Sequence, residues 1–170
     1  MKKLIAILLA LSLMLCFAAC GDTTPDTPDQ PQNKEPVQDS FSFTYEGTKI
    51  ALHAPMSGIL AALGEPAEYS ESASCAFEGL DKTYGYGSFY IQTYPIGDKD
   101  YVYSFWFEDD MVETDEGICI GATLADVQTA YGTEGYNGSN AFQLTKGSGQ
   151  LTIILENDVV RSIQYVIIAE

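Results

Sequence analysis

Acid–base or nucleophilic catalysis near neutral pH needs an imidazole or an activated thiol or hydroxyl. This chain of 170 residues holds one histidine, His53. Of its four cysteines, only Cys75 and Cys119 lie beyond residue 20. A thiol becomes an effective nucleophile when a base beside it draws off the proton, and a single imidazole gives one opportunity for that. No Gly-x-Ser-x-Gly, Cys-x-x-Cys or His-Glu-x-x-His sequence occurs, and no glycine loop is spaced to cradle phosphate. These residues predict a chain that is not an enzyme and carries no cofactor, with His53 as a partly exposed turn residue ahead of a helix.

Carboxylates are abundant instead. Glu108, Asp109, Asp110, Glu113, Asp115 and Glu116 fall within nine residues, and oxygen ligands in such number suit a hard cation. Glu108, Asp110, Glu113 and Asp115 are the candidate calcium ligands, which makes an acidic calcium- or small-ligand-binding envelope domain the second functional reading. The stretch lacks the Asp-x-Asp-x-Asp-Gly order of a calcium loop. Along a strand, Glu113 and Asp115 would share a face while Glu116 points away. A solvated turn is the favoured reading.

Aromatic side chains give a third kind of site. Eleven tyrosines, eight phenylalanines and one tryptophan concentrate in two alternating stretches, 84–94 and 101–107, that predict strands. With Phe89 and Ile91 turned to a core, Tyr90 and Tyr94 turn away from it. With Tyr101, Tyr103, Phe105 and Phe107 on one face, Trp106 emerges on the other beside Ser104. Tyr and Trp dominate binding hot spots, so Tyr90, Tyr94 and Trp106 are the candidate partner-binding residues. Cover by a second layer is the competing expectation.

The elements that would position these residues come from a repeat. Residues 50–66, IALHAPMSGILAALGEP, superimpose on 118–134, ICIGATLADVQTAYGTE, at a constant offset of 68. Met56 and Leu124, Ile59 and Val127, Ala62 and Ala130 share one helical face in each copy. Helices are therefore predicted at about 55–63 and about 123–131. Pro55 suits a first turn, Thr123 with Asp126 a capping box, and Gly64 and Gly132 the helix ends. Asp109-Asp110 and Asn157-Asp158 are predicted as matching two-residue hairpin turns, 48 apart. Strands at 141–145, 151–155 and 159–168 complete an α+β class of two tandem helix-plus-antiparallel-sheet repeats, 41–116 and 117–170, the first with an extra strand at 84–94.

The Ile-Gly-x-Thr-x-x-x-Val-x-x-x-Tyr-Gly pattern at Ile120 to Gly132, with this order of elements, resembles the β-lactamase-inhibitor-protein architecture. It is also similar to small envelope-assembly lipoproteins and to tandem lipoproteins of Gram-positive bacteria. The resemblance covers Ile50 to Ile168 and implies a binding protein whose sheet grips another protein, without assigning contact residues.

The N-terminus carries a location. Lys2 and Lys3 precede an apolar run, Leu4 to Leu15, and Phe17-Ala18-Ala19-Cys20 follows. This leader resembles a bacterial lipoprotein signal, which implies that residues 1–19 are removed and Cys20 acquires acyl chains such as palmitate. The apolar run is shorter than the roughly 20 residues a spanning helix needs. Beyond Cys20, residues 21–40 hold four prolines and one apolar residue, Val37, the composition of a disordered acidic tether (20–40 with the lipidated cysteine) with a reach of about 60 Å at ~3.1 Å per residue. Loss of Lys2 and Lys3 would take the formal charge from −16 to −18, which disfavours nucleic acid as a partner. The expected setting is the outer face of a bacterial cell membrane, where Cys75 and Cys119 could form a disulfide or stay as free thiols. The leading functional reading is a lipid-anchored, surface-displayed protein-binding module that meets an envelope or extracellular protein through an aromatic sheet face.

Overall fold

Short runs of alternating apolar and polar residues, separated by turn-forming dipeptides, make this chain a sheet protein. The computed structural model describes residues 40–168. Cys20, the leader and the tether up to residue 39 lie outside the described residues.

The first hairpin pairs β1 (Ser42–Tyr45) with β2 (Thr48–Ala51). Its turn, Glu46-Gly47, takes the positive φ of both residues, as a two-residue loop between twisted strands requires. Helix α1 (Met56–Leu63) follows, then β3 (Glu68–Ala73), β4 (Leu80–Gly85), β5 (Phe89–Ile96) and β6 (Lys99–Phe107) as an antiparallel meander. After a long irregular segment come helix α2 (Leu124–Tyr131) and the strands β7 (Ala141–Lys146), β8 (Gly149–Glu156) and β9 (Val159–Ile167). Pairing of β6 with β9 fuses the two meanders into one seven-stranded sheet of order β3-β4-β5-β6-β9-β8-β7. The joint is short. Only Ser104, Phe105 and Trp106 of β6 pair with Val166, Tyr165 and Gln164 of β9.

One face of the sheet is dry. Phe89, Ile91, Phe105, Phe142, Leu151, Ile153, Ile163 and Tyr165 point into a single cluster with Phe43 and Ile50 of the first hairpin, Met56 and Ile59 of α1 and Val127 of α2. Phe43 is fully buried, its ring 5.1 Å from that of Phe89 and 5.0 Å from those of Phe105 and Phe107. Edge-to-face and tilted contacts of this kind add to area burial because the rim of one ring meets the face of another.

Both helices lie where the apolar spacing puts them, and each ends at a glycine, Gly64 and Gly132, with φ near 80°. Thr123 and Asp126 form the reciprocal capping box. The expected class is nevertheless corrected. Helix is confined to two segments of eight residues in the described chain, against nine strands, so the fold is β-rich rather than α+β. The sheet is continuous and unequally divided, with four strands before the joint and three after it, rather than two equivalent helix-plus-sheet repeats.

Three local expectations also change. The strand expected at 84–94 contains a turn: β4 ends at Gly85, β5 begins at Phe89, and Tyr86 donates its backbone N–H to the Phe89 carbonyl. Gly87, with φ +81, makes that reversal accessible. Asn157-Asp158 does form a hairpin turn with φ of 54° and 60°, whereas Asp109-Asp110 does not, because β6 stops at Phe107 and no strand returns. Finally, Tyr101, Tyr103, Phe105 and Phe107 do not share a face. A register shift opposite Gln92/Thr93 gives β6 one extra residue, Tyr103, so Val102 turns into the core and Tyr101 out of it.

Truncation at the centre of the dry face should register strongly. Phe43→Ala is expected to lower unfolding free energy by about 3–5 kcal/mol, the usual range for emptying a buried aromatic site. Urea denaturation followed by far-UV circular dichroism would read this as a lower midpoint at unchanged m value.

Candidate functional site

Register alone defines the other face. Glu68, Gly85, Tyr90, Trp106, Gln164, Thr152 and Gln143 lie directly opposite one another in successive strands and form one row from edge to edge. The next row is Ser70, Thr83, Gln92, Ser104, Val166, Gln150 and Thr145. Neither row contains lysine or arginine. Between them runs an inner-face row whose members Tyr84, Ile91, Phe105, Tyr165 and Leu151 are at most 5% exposed. The outer row stays open: Tyr90, Trp106 and Thr152 are half-buried, Glu68, Gln143 and Gln164 exposed.

Tyr90 and Trp106 are fixed in place. Their rings are stacked at 5.3 Å between centroids with planes 7° apart. Tyr90 donates its hydroxyl to Glu68 Oε2 at 2.6 Å, and Trp106 donates Nε1–H to Glu108 Oε1 at 2.7 Å. On the side away from Trp106, Tyr90 lies over bare backbone: a Cβ on Gly85 would come within 2.7 Å of its Cε1. Glycine at that position in a strand lets a cross-strand aromatic cover the chain. The Glu68 carboxylate also holds the Tyr90 phenol above its ordinary pKa, so the ring remains neutral at physiological pH. The result is an aromatic pair bracketed by two carboxylates, with little rotamer freedom left to lose on binding.

Tyr94 does not belong to this surface. It is 8% exposed, its ring 5.0 Å from that of Phe77 and its hydroxyl 3.0 Å from Nδ1 of His53. The cause is the chain between β2 and α1. Below the short β6–β9 joint, that segment runs along β6, with His53 N–H donated to the Val102 carbonyl, Val102 N–H to the Ala54 carbonyl, and Pro55 bridged to Tyr101. His53 adopts φ +65° there and reaches Ser148 Oγ, in the β7–β8 turn, with Nε2 at 2.7 Å. The imidazole thus links the two meanders.

A hydroxyl–imidazole–hydroxyl chain has the connectivity of a nucleophile, base and orienting group, but the third position holds the phenol of Tyr94. A phenol there brings no negative charge to stabilise the imidazolium formed when the base takes a proton. Burial holds the His53 pKa below its ordinary value, which fits a structural imidazole kept neutral.

The remaining sequence candidates are dispersed. Glu108 serves Trp106. Asp109 accepts the Met111 N–H at 2.9 Å and the Ser88 hydroxyl at 3.0 Å, a side-chain-closed turn in place of the expected hairpin. Glu116 accepts the Tyr131 hydroxyl at 2.7 Å. Among the described residues no three His, Cys, Asp or Glu side chains gather into a group able to hold a metal ion, so Glu108, Asp110, Glu113 and Asp115 do not converge. Asp110, Glu116, Cys119 and Asp126 border an open depression of about 640 Å³, where Asp126 is already committed to Thr123 and Glu116 to Tyr131. The bridge allowed between Cys75 and Cys119 is not formed. Cys75 is an exposed free thiol in the β3–β4 loop, and Cys119 a half-buried one.

Sequence reading missed Glu68, Gly85 and Gln164 as neighbours of the aromatic pair. The signal available was the glycine in an otherwise alternating strand. Compared with protein families, with curated proteins and with solved structures, the chain has no match in any of the three. The geometry of the sheet therefore carries the functional argument alone.

The histidine link predicts a pH effect. With its folded pKa below 6.5, His53 binds fewer protons in the native than in the unfolded state, so stability is complete above about pH 6.5 and falls as pH drops below it. His53→Asn, which tolerates the positive φ, should flatten the slope of stability against pH between about 6.5 and 5. Urea midpoints of both proteins across that range would show it, and parallel curves would contradict it.

Proposed function

We propose that this chain is a non-catalytic, surface-displayed protein-binding module that engages its partner through the outer face of the seven-stranded sheet, centred on Tyr90 and Trp106. The observation that carries this reading is the stacked, doubly hydrogen-bonded aromatic pair, half-exposed in the outer row. A monomeric protein with no use for such a pair gains more by burying it, since Tyr and Trp are the side chains with most contact area to offer at least entropic loss. The inner face keeps the two helices and the first hairpin, so the outer face is left free for a second molecule.

Display belongs to the same proposal. A leader ending in Cys20, followed by the proline-rich stretch before residue 40, would hold the sheet at a distance from a membrane of the bacterial envelope. The partner is then an envelope or extracellular protein. The non-catalytic part is supported by the commitment of the one imidazole to two hydroxyls.

Site-specific photocrosslinking in intact cells tests the face directly. A benzophenone amino acid in place of Gln164, exposed on the outer row, should give a discrete protein adduct. The same residue in place of Ala61, exposed on α1, should give none. Adducts from position 61 but not 164 would overturn the reading. Tyr90→Ala with Trp106→Ala should abolish the adduct at 164 while leaving the thermal midpoint within a few degrees, as expected for about 1 kcal/mol at a half-exposed site.

A further inference from the structure

We infer that the partner meets this sheet with arginine-bearing polypeptide, a guanidinium being the group that Tyr90, Trp106, Glu68 and Glu108 together recognise. The inference rests on the sheet-face reading above and adds the partner's chemistry.

Three observations converge on a cation. The polar atoms of both rings are spent inside the protein, Tyr90 Oη on Glu68 and Trp106 Nε1 on Glu108, so neither ring has a donor left to direct at an incoming group. With Tyr90 held between Trp106 and the Gly85 backbone, the π surface left open is the far face of Trp106, on the Gln164 side, and it attracts positive charge. Each carboxylate has accepted one hydrogen bond there, and an ionised carboxylate has two oxygens and about four lone-pair sites. Both flanks of the aromatic pair therefore retain charge and acceptor capacity. Finally, the two outer-face rows contain no lysine or arginine to neutralise them, and the chain as a whole carries a formal charge of −16.

Guanidinium is favoured over ammonium by shape. It is planar, stacks on aromatic surface, is less strongly hydrated, and can donate two parallel hydrogen bonds to one carboxylate. Like charge argues against a second copy of this chain as the occupant, because two faces of the same sign repel.

Selection from an unbiased peptide library decides the question. The full chain in detergent micelles is presented with phage-displayed random dodecapeptides, and binders are counter-selected on Trp106→Ala. Peptides retained only by the native protein should be enriched in arginine several-fold over the unselected library. Synthetic versions should quench the emission of Trp106, the only tryptophan. Glu68→Gln with Glu108→Gln, which removes charge and keeps size, should weaken them by about tenfold, whereas Glu113→Gln should leave them unchanged. Near-ultraviolet circular dichroism of each variant confirms the fold.

Face-dependent peptides without arginine enrichment, or with affinity indifferent to the double glutamine variant, would overturn the cationic partner while leaving the sheet-face reading intact. A Trp106 response to a neutral oligosaccharide such as chitotetraose, with none to arginine peptides, would assign the face to glycan instead. If counter-selection on Trp106→Ala removes every binder of the native protein, the sheet-face reading itself fails, and this inference with it.

Discussion

A single open sheet can shield only one of its faces with the chain at hand, and most of this structure follows from which face was chosen. Phe43 sits at the centre of that choice. Its ring meets Phe89, Phe105 and Phe107 at contact distance and draws a two-stranded hairpin over the junction between the meanders, while the two helices fill the flanks. Dispersion and aromatic contacts inside such a cluster act collectively, so the cover and the sheet stabilise each other. Once the inner face is closed, alternation leaves every other side chain of seven strands facing away from it. The aromatic pair is there because Phe89 and Ile91, Phe105 and Phe107 are on the opposite side.

The joint between meanders is the second constraint. A three-residue pairing of β6 with β9 is the least continuous part of the ladder, and the segment from His53 to Pro55 substitutes for the missing partner along lower β6. That substitution explains several otherwise separate features: the left-handed backbone of His53, the burial of Tyr94, and the use of the one imidazole as a connector. Backbone groups released where two strands diverge must find new partners, and here an adjacent segment of chain supplies them.

Local patterns were legible in the sequence to the extent that they depend on neighbours along the chain. Helix α2 was readable from Thr123, Asp126, Val127 and Gly132, because caps and apolar spacing act within a few residues. Asn157-Asp158 was readable for the same reason. Asp109-Asp110 was misread because an identical local preference can be satisfied by a carboxylate bonding to Met111 N–H and the Ser88 hydroxyl, a contact that needs Ser88 from a distant strand. The fold class was misread because two convincing helices were given the weight of half the architecture. Tyr90 and Trp106 emerged from simple alternation. Tyr94 alternates outward as they do but is covered by Phe77 and the His53 segment, parts of the chain distant from it in sequence. The exchange of Val102 and Tyr101 comes from one extra residue in β6, and nothing near Tyr103 in sequence announces that bulge.

The position of the first hairpin has a mechanical meaning. Ser42 at the start of β1 pairs with Ala51 at the end of β2, so the chain enters and leaves that hairpin at the same end. A pull arriving through residue 40 would be borne first by the bond from Leu52 N–H to the Phe41 carbonyl, then by the Ser42–Ala51 pair and each following pair in turn. Hydrogen bonds loaded one after another yield at lower force than bonds loaded side by side. Phe43, next in line, is the residue that would have to leave its aromatic pocket before peeling could continue. Tension on the N-terminal side would thus be felt at the cover of the core before it reached the sheet, and the outer face would keep its shape until that cover gave way.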